Sequence, residues 1–120
     1  ADKILDVEVK DIPCADDIFR DNLMDYMENN YENSEVGVDE ISSALGLSRV
    51  HLYRKTKSSF GLSPTDLLKK FRLRKAALLL KQEAGLSVSE VAYMTGFSSP
   101  AYFTRCFKEM FGVPPTAYDK

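Results

Sequence analysis

The sequence predicts an all-α domain, two helix-turn-helix units joined by a long connector helix, with about seven helices in all. Three observations predict it. From Asp16 onward apolar residues recur at three- and four-residue spacings, glycine stands at the end of each periodic stretch after the first, and residues 38–64 are echoed at 88–115. At roughly 100 to 200 residues per domain, 120 residues support one domain, or two small ones sharing a core.

Residues 1–15 alternate apolar and polar side chains around Ile4 to Val9 and then meet Pro13. This predicts an extended segment or linker, assigned to 1–16, with a short edge strand as the alternative. Beyond it, Phe19, Leu23, Tyr26, Met27 and Asn30 share a helical face, Asp16 and Asp17 suit a helix N-terminus, and the helix is expected to end near Asn33. Val38, Ile41, Ala44 and Leu45 form the stripe of a short helix that stops at Gly46. Ser48 caps a helix through Phe60, with Leu52, Thr56 and Phe60 on one side and Gly61 as the stop. Pro64 opens the connector helix, which carries Leu67, Leu68, Phe71, Ala76, Leu79 and Leu80 to about Gln82.

Ser87-Val88-Ser89-Glu90 reads as a capping box opening a short helix that ends at Gly96. Ser98 or Ser99 starts the next, with Phe103, Phe107 and Met110 on one side and Gly112 after it. Pro114-Pro115 then leaves one terminal turn around Ala117 and Tyr118. The domain is therefore assigned to 17–118, with units at 38–61 and 88–112 on either side of the 64–82 connector.

Composition excludes several classes. Hydrophobic residues at 44% and charged residues at 28% are near the globular average, so global disorder and collagen-like structure are set aside. No apolar run nears the roughly 18 to 20 residues of a membrane span, and no signal peptide is evident, so a cytoplasmic chain with no membrane contact in this segment is expected. Cys14 and Cys106 read as two thiols. With His51 as the single histidine and no CxxC or HxxxH pair, no metal is expected. Six scattered glycines form neither GxGxxG nor a P-loop, so no cofactor and no enzyme activity are expected either. The start at Ala1 in place of Met reads as that of a piece of a longer protein.

Charge is unevenly placed. Residues 1–40 hold thirteen acidic side chains against Lys3, Lys10 and Arg20, whereas 41–120 carry a net charge of +8. Within 49–81 there are ten Lys and Arg residues and only Asp66 of opposite sign, which predicts a positive surface despite the overall −2. The acidic stretch is either a linker and first helix held clear of phosphate, or a region that docks on the basic face until displaced.

The repeat sharpens this. VDEISSALGLS (38–48) matches VSEVAYMTGFS (88–98) at an offset of 50, and LYRKTKSSFGLSP (52–64) matches FTRCFKEMFGVPP (103–115) at 51. In the second helix of the first copy, Arg49, Val50, Tyr53, Arg54 and Lys57 form a stripe turned away from Leu52, Thr56 and Phe60. Pro100, Ala101, Thr104, Arg105 and Lys108 form the equivalent stripe of the second copy. Such helices suit a major groove, where arginine binds guanine O6 and N7 in pairs and small apolar groups touch the thymine methyl. Arg54 and Arg105 are the foremost base readers. Ser48, Ser98 and Ser99 serve as caps and as phosphate ligands, and Lys55, Lys57, Arg72, Arg74 and Lys108 are candidates for further phosphate contacts.

Over roughly 17–118 these residues resemble the AraC-type DNA-binding domain. The match is carried by LGLSRVHLYRKTKSSFGLSP, RLRKAALLL and VSEVAYMTGFSSPAYFTRCFKEMFGVPP. The resemblance implies two recognition helices in successive major-groove segments, with contacts from Val50, Tyr53 and Arg54 and from Pro100, Ala101, Thr104 and Arg105. It implies sequence-specific binding of double-stranded DNA by a transcriptional regulator. Thr56 departs from the bulky apolar residue usual at the place matching Phe107, which bears on how tightly the first recognition helix packs. HLYRKTKSSFG and the acidic lead-in IFRDNLMDYMENNYENSEVGV look most like the C-terminal output domain of a bacterial hybrid two-component regulator. RNA polymerase is a candidate second partner, and any dimerisation is assigned to regions outside this chain. The alternatives are a helical protein-interaction module with a basic face, an enzyme built around His51, and an RNA binder, the last disfavoured by the lack of an expected aromatic platform.

Overall fold

The computed structural model describes residues 15–82 and 85–118. Among them are six α-helices and a closing 3₁₀ turn: α1 Ala15–Asn30, α2 Val38–Leu45, α3 Arg49–Phe60, α4 Pro64–Gln82, α5 Val88–Met94, α6 Pro100–Phe111, and the turn Pro115–Ala117. No strand occurs among the described residues. The expected extended segment lies outside them up to residue 14, and Ala15 and Asp16 already belong to α1.

Each boundary has a local cause. Ser48 Oγ accepts from the His51 N–H at 3.1 Å and Ser99 Oγ from the Tyr102 N–H at 3.2 Å, so both recognition-type helices begin on a serine cap. The cap in the second unit is Ser99, one place later than the serine matching Ser48, which is where the repeat changes offset. Ser87 and Glu90 form the reciprocal capping box, at 3.0 and 3.2 Å. In the first unit Glu40 keeps its half of that box, accepting from the Gly37 N–H at 2.8 Å. The connector starts on Ser63, whose Oγ accepts from the Asp66 N–H, with Pro64 in the first helical position.

Two cores result, and α4 serves both. Its first half gives Leu67 and Leu68 to a cluster with Phe19, Leu23, Met27, Val36, Ile41 and Leu52. Its second half gives Leu73, Ala76 and Ala77 to a cluster with Val91, Ala92, Phe97, Phe103, Cys106 and Phe107. The second core is aromatic: Phe97–Phe103 centroids are 5.0 Å apart, Phe103–Phe107 5.7 Å and Phe107–Phe111 4.5 Å, with Tyr118 edge-on to Phe107. In the first core the three buried residues of α1 supply the bulk that phenylalanines supply in the second.

Two expectations are corrected. Ala44 is exposed and Ser42 takes the inward place, its hydroxyl donating to the Asp39 carbonyl at 3.0 Å, which lets a polar residue be buried at low cost. α1 ends at Asn30, three residues early, because the Asn30 side chain donates to the Tyr26 carbonyl and the backbone turns at Tyr31. Thr56, smaller than its counterpart Phe107, is fully buried on the side expected for it, with its hydroxyl donating to the Leu52 carbonyl at 2.7 Å.

Candidate nucleic-acid interface

Burying Leu52 and Thr56 against α1 and α4 turns the opposite face of α3 to solvent. Val50 is 61% exposed and Tyr53 50%, and Arg49, Arg54 and Lys57 are exposed beside them. Burying Phe103, Cys106 and Phe107 does the same for α6, exposing Ala101, Arg105 and Lys108, with Pro100 and Thr104 half-buried. Arg105 is held by stacking, its guanidinium carbon 5.4 Å from the Tyr102 ring centroid.

Two adjoining cavities run from the exposed side of α3 to the start of α6. A shallow hollow of about 520 Å³ is lined by Val50, Tyr53 and Arg54 of α3, by Val38, and by Ser63, Pro64 and Thr65 at the start of the connector. A crevice of about 240 Å³ also includes Val38 and Thr65 and continues to Gly96, Ser98 and Tyr102 of the second unit. The walls shared by the two cavities therefore lead from the exposed side of α3 to the start of α6. Ser63 and Thr65 carry no spacing signal in the sequence, and Val38 was legible only as part of the α2 stripe; the Gly61 turn, at φ 75°, brings the connector's first turn beside α3. Tyr102 was legible as the residue one helical turn before Arg105. Tyr53, Tyr93 and Tyr102 are exposed, Tyr53 on the outward stripe where the sequence placed it.

The remaining basic residues separate. Arg49 is exposed but paired with Asp39 through its Nε and an Nη, and that hydrogen bond holds the Asp39 carboxyl below its ordinary pKa and raises that of Arg49. Lys55 is half-buried, its Nζ 5.3 Å from the Phe19 centroid on α1. Lys75 is bound to Glu28 of α1 at 2.7 Å, so part of the acidic lead-in is already neutralised by the connector. Arg72 leaves the phosphate set on geometry: its Nε donates to the Tyr31 carbonyl at 2.9 Å and an Nη to the Asn33 carbonyl at 2.8 Å, and burial lowers its pKa. Arg74, two positions on and so about 200° round the helix, lines a separate groove with Leu78, Lys81, Phe111 and Tyr118. Ser48 and Ser99 are engaged as caps, and Ser98 is exposed in the crevice. Among the described residues no group of three His, Cys, Asp or Glu side chains gathers as a metal would need, and no helix is long and apolar enough to cross a membrane.

Residues 41–120 match the family model described as Helix-turn-helix domain. A probable transcription factor of Proteus vulgaris, PqrA, is 34% identical over 105 residues, covering 87% of this chain and 84% of that protein. The chain belongs to the AraC-type helix-turn-helix family. Its fold is the AraC-type fold in space as well: the C-terminal domain of the two-component response regulator YesN from Fusobacterium nucleatum superposes with a TM-score of 0.78, at 30% identity, over 84% of this chain and 97% of that one. The DNA-binding domain of AdpA, solved in complex with a target DNA, superposes with a TM-score of 0.75 at 27% identity, over 81% of this chain and 86% of that one. A histidine kinase of Formosa agariphila is 35% identical over 92 residues, which are 77% of this AraC-type chain but 7% of that protein. The chain thus spans a small part of some of the relatives it matches.

Proposed function

We propose that this AraC-type domain binds double-stranded DNA sequence-specifically as the reading module of a transcriptional regulator, with α3 and α6 in successive major-groove segments. The observation that carries the reading is the pair of serine-capped helices, each with its apolar side buried and an arginine exposed at a matched position. AdpA, a structural neighbour, was solved on its target DNA, which supports the same use of this fold. Base contacts are assigned to Arg49, Val50, Tyr53, Arg54, Pro100, Ala101, Thr104 and Arg105. Phosphate contacts are assigned to Lys55, Lys57, Lys108, Ser98 and the capped N-termini at Ser48 and Ser99. The domain works in the cytoplasm without catalysis. Likeness to a histidine kinase and to a response-regulator domain supports placing it as the output end of a hybrid two-component regulator, with RNA polymerase as a further partner and dimerisation in other regions.

Selection of bound sites from a random duplex library tests this. Two short elements in direct orientation are expected, their centres about one turn of 10 to 10.5 bp apart. Enrichment of no motif would favour a helical interaction module with a basic face instead.

A further inference from the structure

Neither helix of the first unit packs extensively on either helix of the second; both units lean on α4. A smooth connector alone would leave their relative rotation to helix bending. Arg72, midway along α4, bridges them. Its Nε and an Nη are tied to the Tyr31 and Asn33 carbonyls, just beyond α1 in the first half of the molecule. Gly96, the turn between α5 and α6, packs directly on that hydrogen bond: a Cβ there would lie 2.6 Å from the Arg72 Nε and 2.0 Å from the Tyr31 carbonyl oxygen. Backbone of the first half, the guanidinium and backbone of the second half are therefore in direct contact, at a point where only a glycine fits. The fork of the guanidinium, half-buried and planar, holds two carbonyls in fixed directions, which lysine cannot imitate.

We propose that Arg72 is a positioning residue that sets the rotation between the two recognition helices, and with it the half-site spacing that the domain accepts. This rests on the DNA reading above. One added base pair moves the second half-site by about 3.4 Å and turns it by about 34°, so a rigidly phased pair of helices must lose one of its two contacts. Two linked modules exceed a single one by on the order of 10²- to 10⁴-fold when geometry lets both engage, and that gain is what misphasing removes.

The test has two arms on the whole chain. In the first, labels placed by S58C and E109C, matched exposed positions on α3 and α6 outside the assigned contacts, report the inter-helix distance distribution by pulsed electron spin resonance, in a C14S/C106A background and without DNA. The distribution is expected to be narrow with Arg72, broadened by R72A, and only partly restored by R72K. In the second, duplexes selected by the unaltered protein are rebuilt with one base pair inserted or removed between the elements. The unaltered protein should lose about 10-fold or more, and R72A less than about 3-fold between spacings, while a single-element duplex binds both proteins equally. A distribution left narrow in R72A, with native circular dichroism, overturns the proposal whatever the DNA result; broadening with spacing preference intact overturns it too. If no duplex is bound at all, the DNA reading falls and the distance arm alone decides whether Arg72 positions the helices. Should R72A fail to fold, the same two readouts on R72K decide.

Discussion

The Arg105 guanidinium lies over the ring of Tyr102, one helical turn earlier on α6, at 5.4 Å from its centroid. The first unit has His51 at the place matching Tyr102, so Arg54 lacks an equivalent tyrosine and is instead flanked by the walls of the α3 hollow. The two matched arginines are thus prepared differently: one is held over a ring before any ligand arrives, which lowers the side-chain entropy lost when it is used.

Replacing Arg105 or Arg54 by alanine is expected to cost about 1 to 3 kcal/mol of specific binding and to relax preference at one base pair each. Tyr102→Leu should cost less, about 0.5 to 1 kcal/mol, the size of an exposed cation–π contact, and should leave the preferred base unchanged. Fluorescence anisotropy on the selected duplex and on single-base variants measures both. Full discrimination retained in R54A and R105A would remove these two from the bases.

Lys57 and Lys108 lie at matched, exposed positions in the last turns of their helices. Charge without base-edge geometry predicts a uniform effect. Either alanine variant should weaken binding to all duplexes alike and reduce the slope of log K against log [salt] by about one per lost phosphate contact. An unchanged slope would take that lysine off the interface.

Asp39 holds the Arg49 guanidinium, a proposed base contact. The hydrogen bond from Arg49 lowers the folded-state pKa of Asp39 from the ordinary 3.8, so the pair is fully formed above that value and is lost as the pH falls through the lowered folded pKa. Both side chains are exposed, so salt screens the pair and its effect on stability is small. A carboxyl titration followed by NMR should show the Asp39 midpoint below 3.8 and returning towards it in R49Q. Asp39→Asn should free Arg49 and steepen the salt dependence of DNA binding by about one, the opposite sign to K57A.

Much of this fold was legible because its boundaries are chemically local. The serine caps, the Ser87–Glu90 box, Pro64 in the connector's first turn and the glycine stops act within a few residues of the chain, and each stands where the periodicity breaks. The outward stripes were legible for the same reason, since fixing the apolar face of a helix fixes its opposite. What was not legible depends on partners distant in sequence. Lys75 is paired with Glu28, and Arg72 is tied to carbonyls 41 and 39 residues away. A count of basic residues gives the sign of a surface; contacts across the fold decide which charges remain free to use.

The two matched turn glycines separate local from tertiary demands in one experiment. Gly46 and Gly96 both adopt positive φ, 68° and 88°. A Cβ at Gly46 would meet nothing within 4 Å, so Gly46→Ala should cost only the backbone strain, about 1 to 2 kcal/mol. At Gly96 the same strain is joined by a clash with the Tyr31 carbonyl oxygen at 2.0 Å, which is main chain and cannot rotate away, so Gly96→Ala should cost on the order of 3 to 5 kcal/mol in urea denaturation. Because the Arg72 guanidinium shares that contact, the G96A and R72A costs should fall short of additivity when combined, whereas G46A and R72A, which touch nothing in common, should add. Equal costs for the two glycines, or additivity of G96A with R72A, would mean that the crevice yields on substitution and that the two halves are not held to one another there.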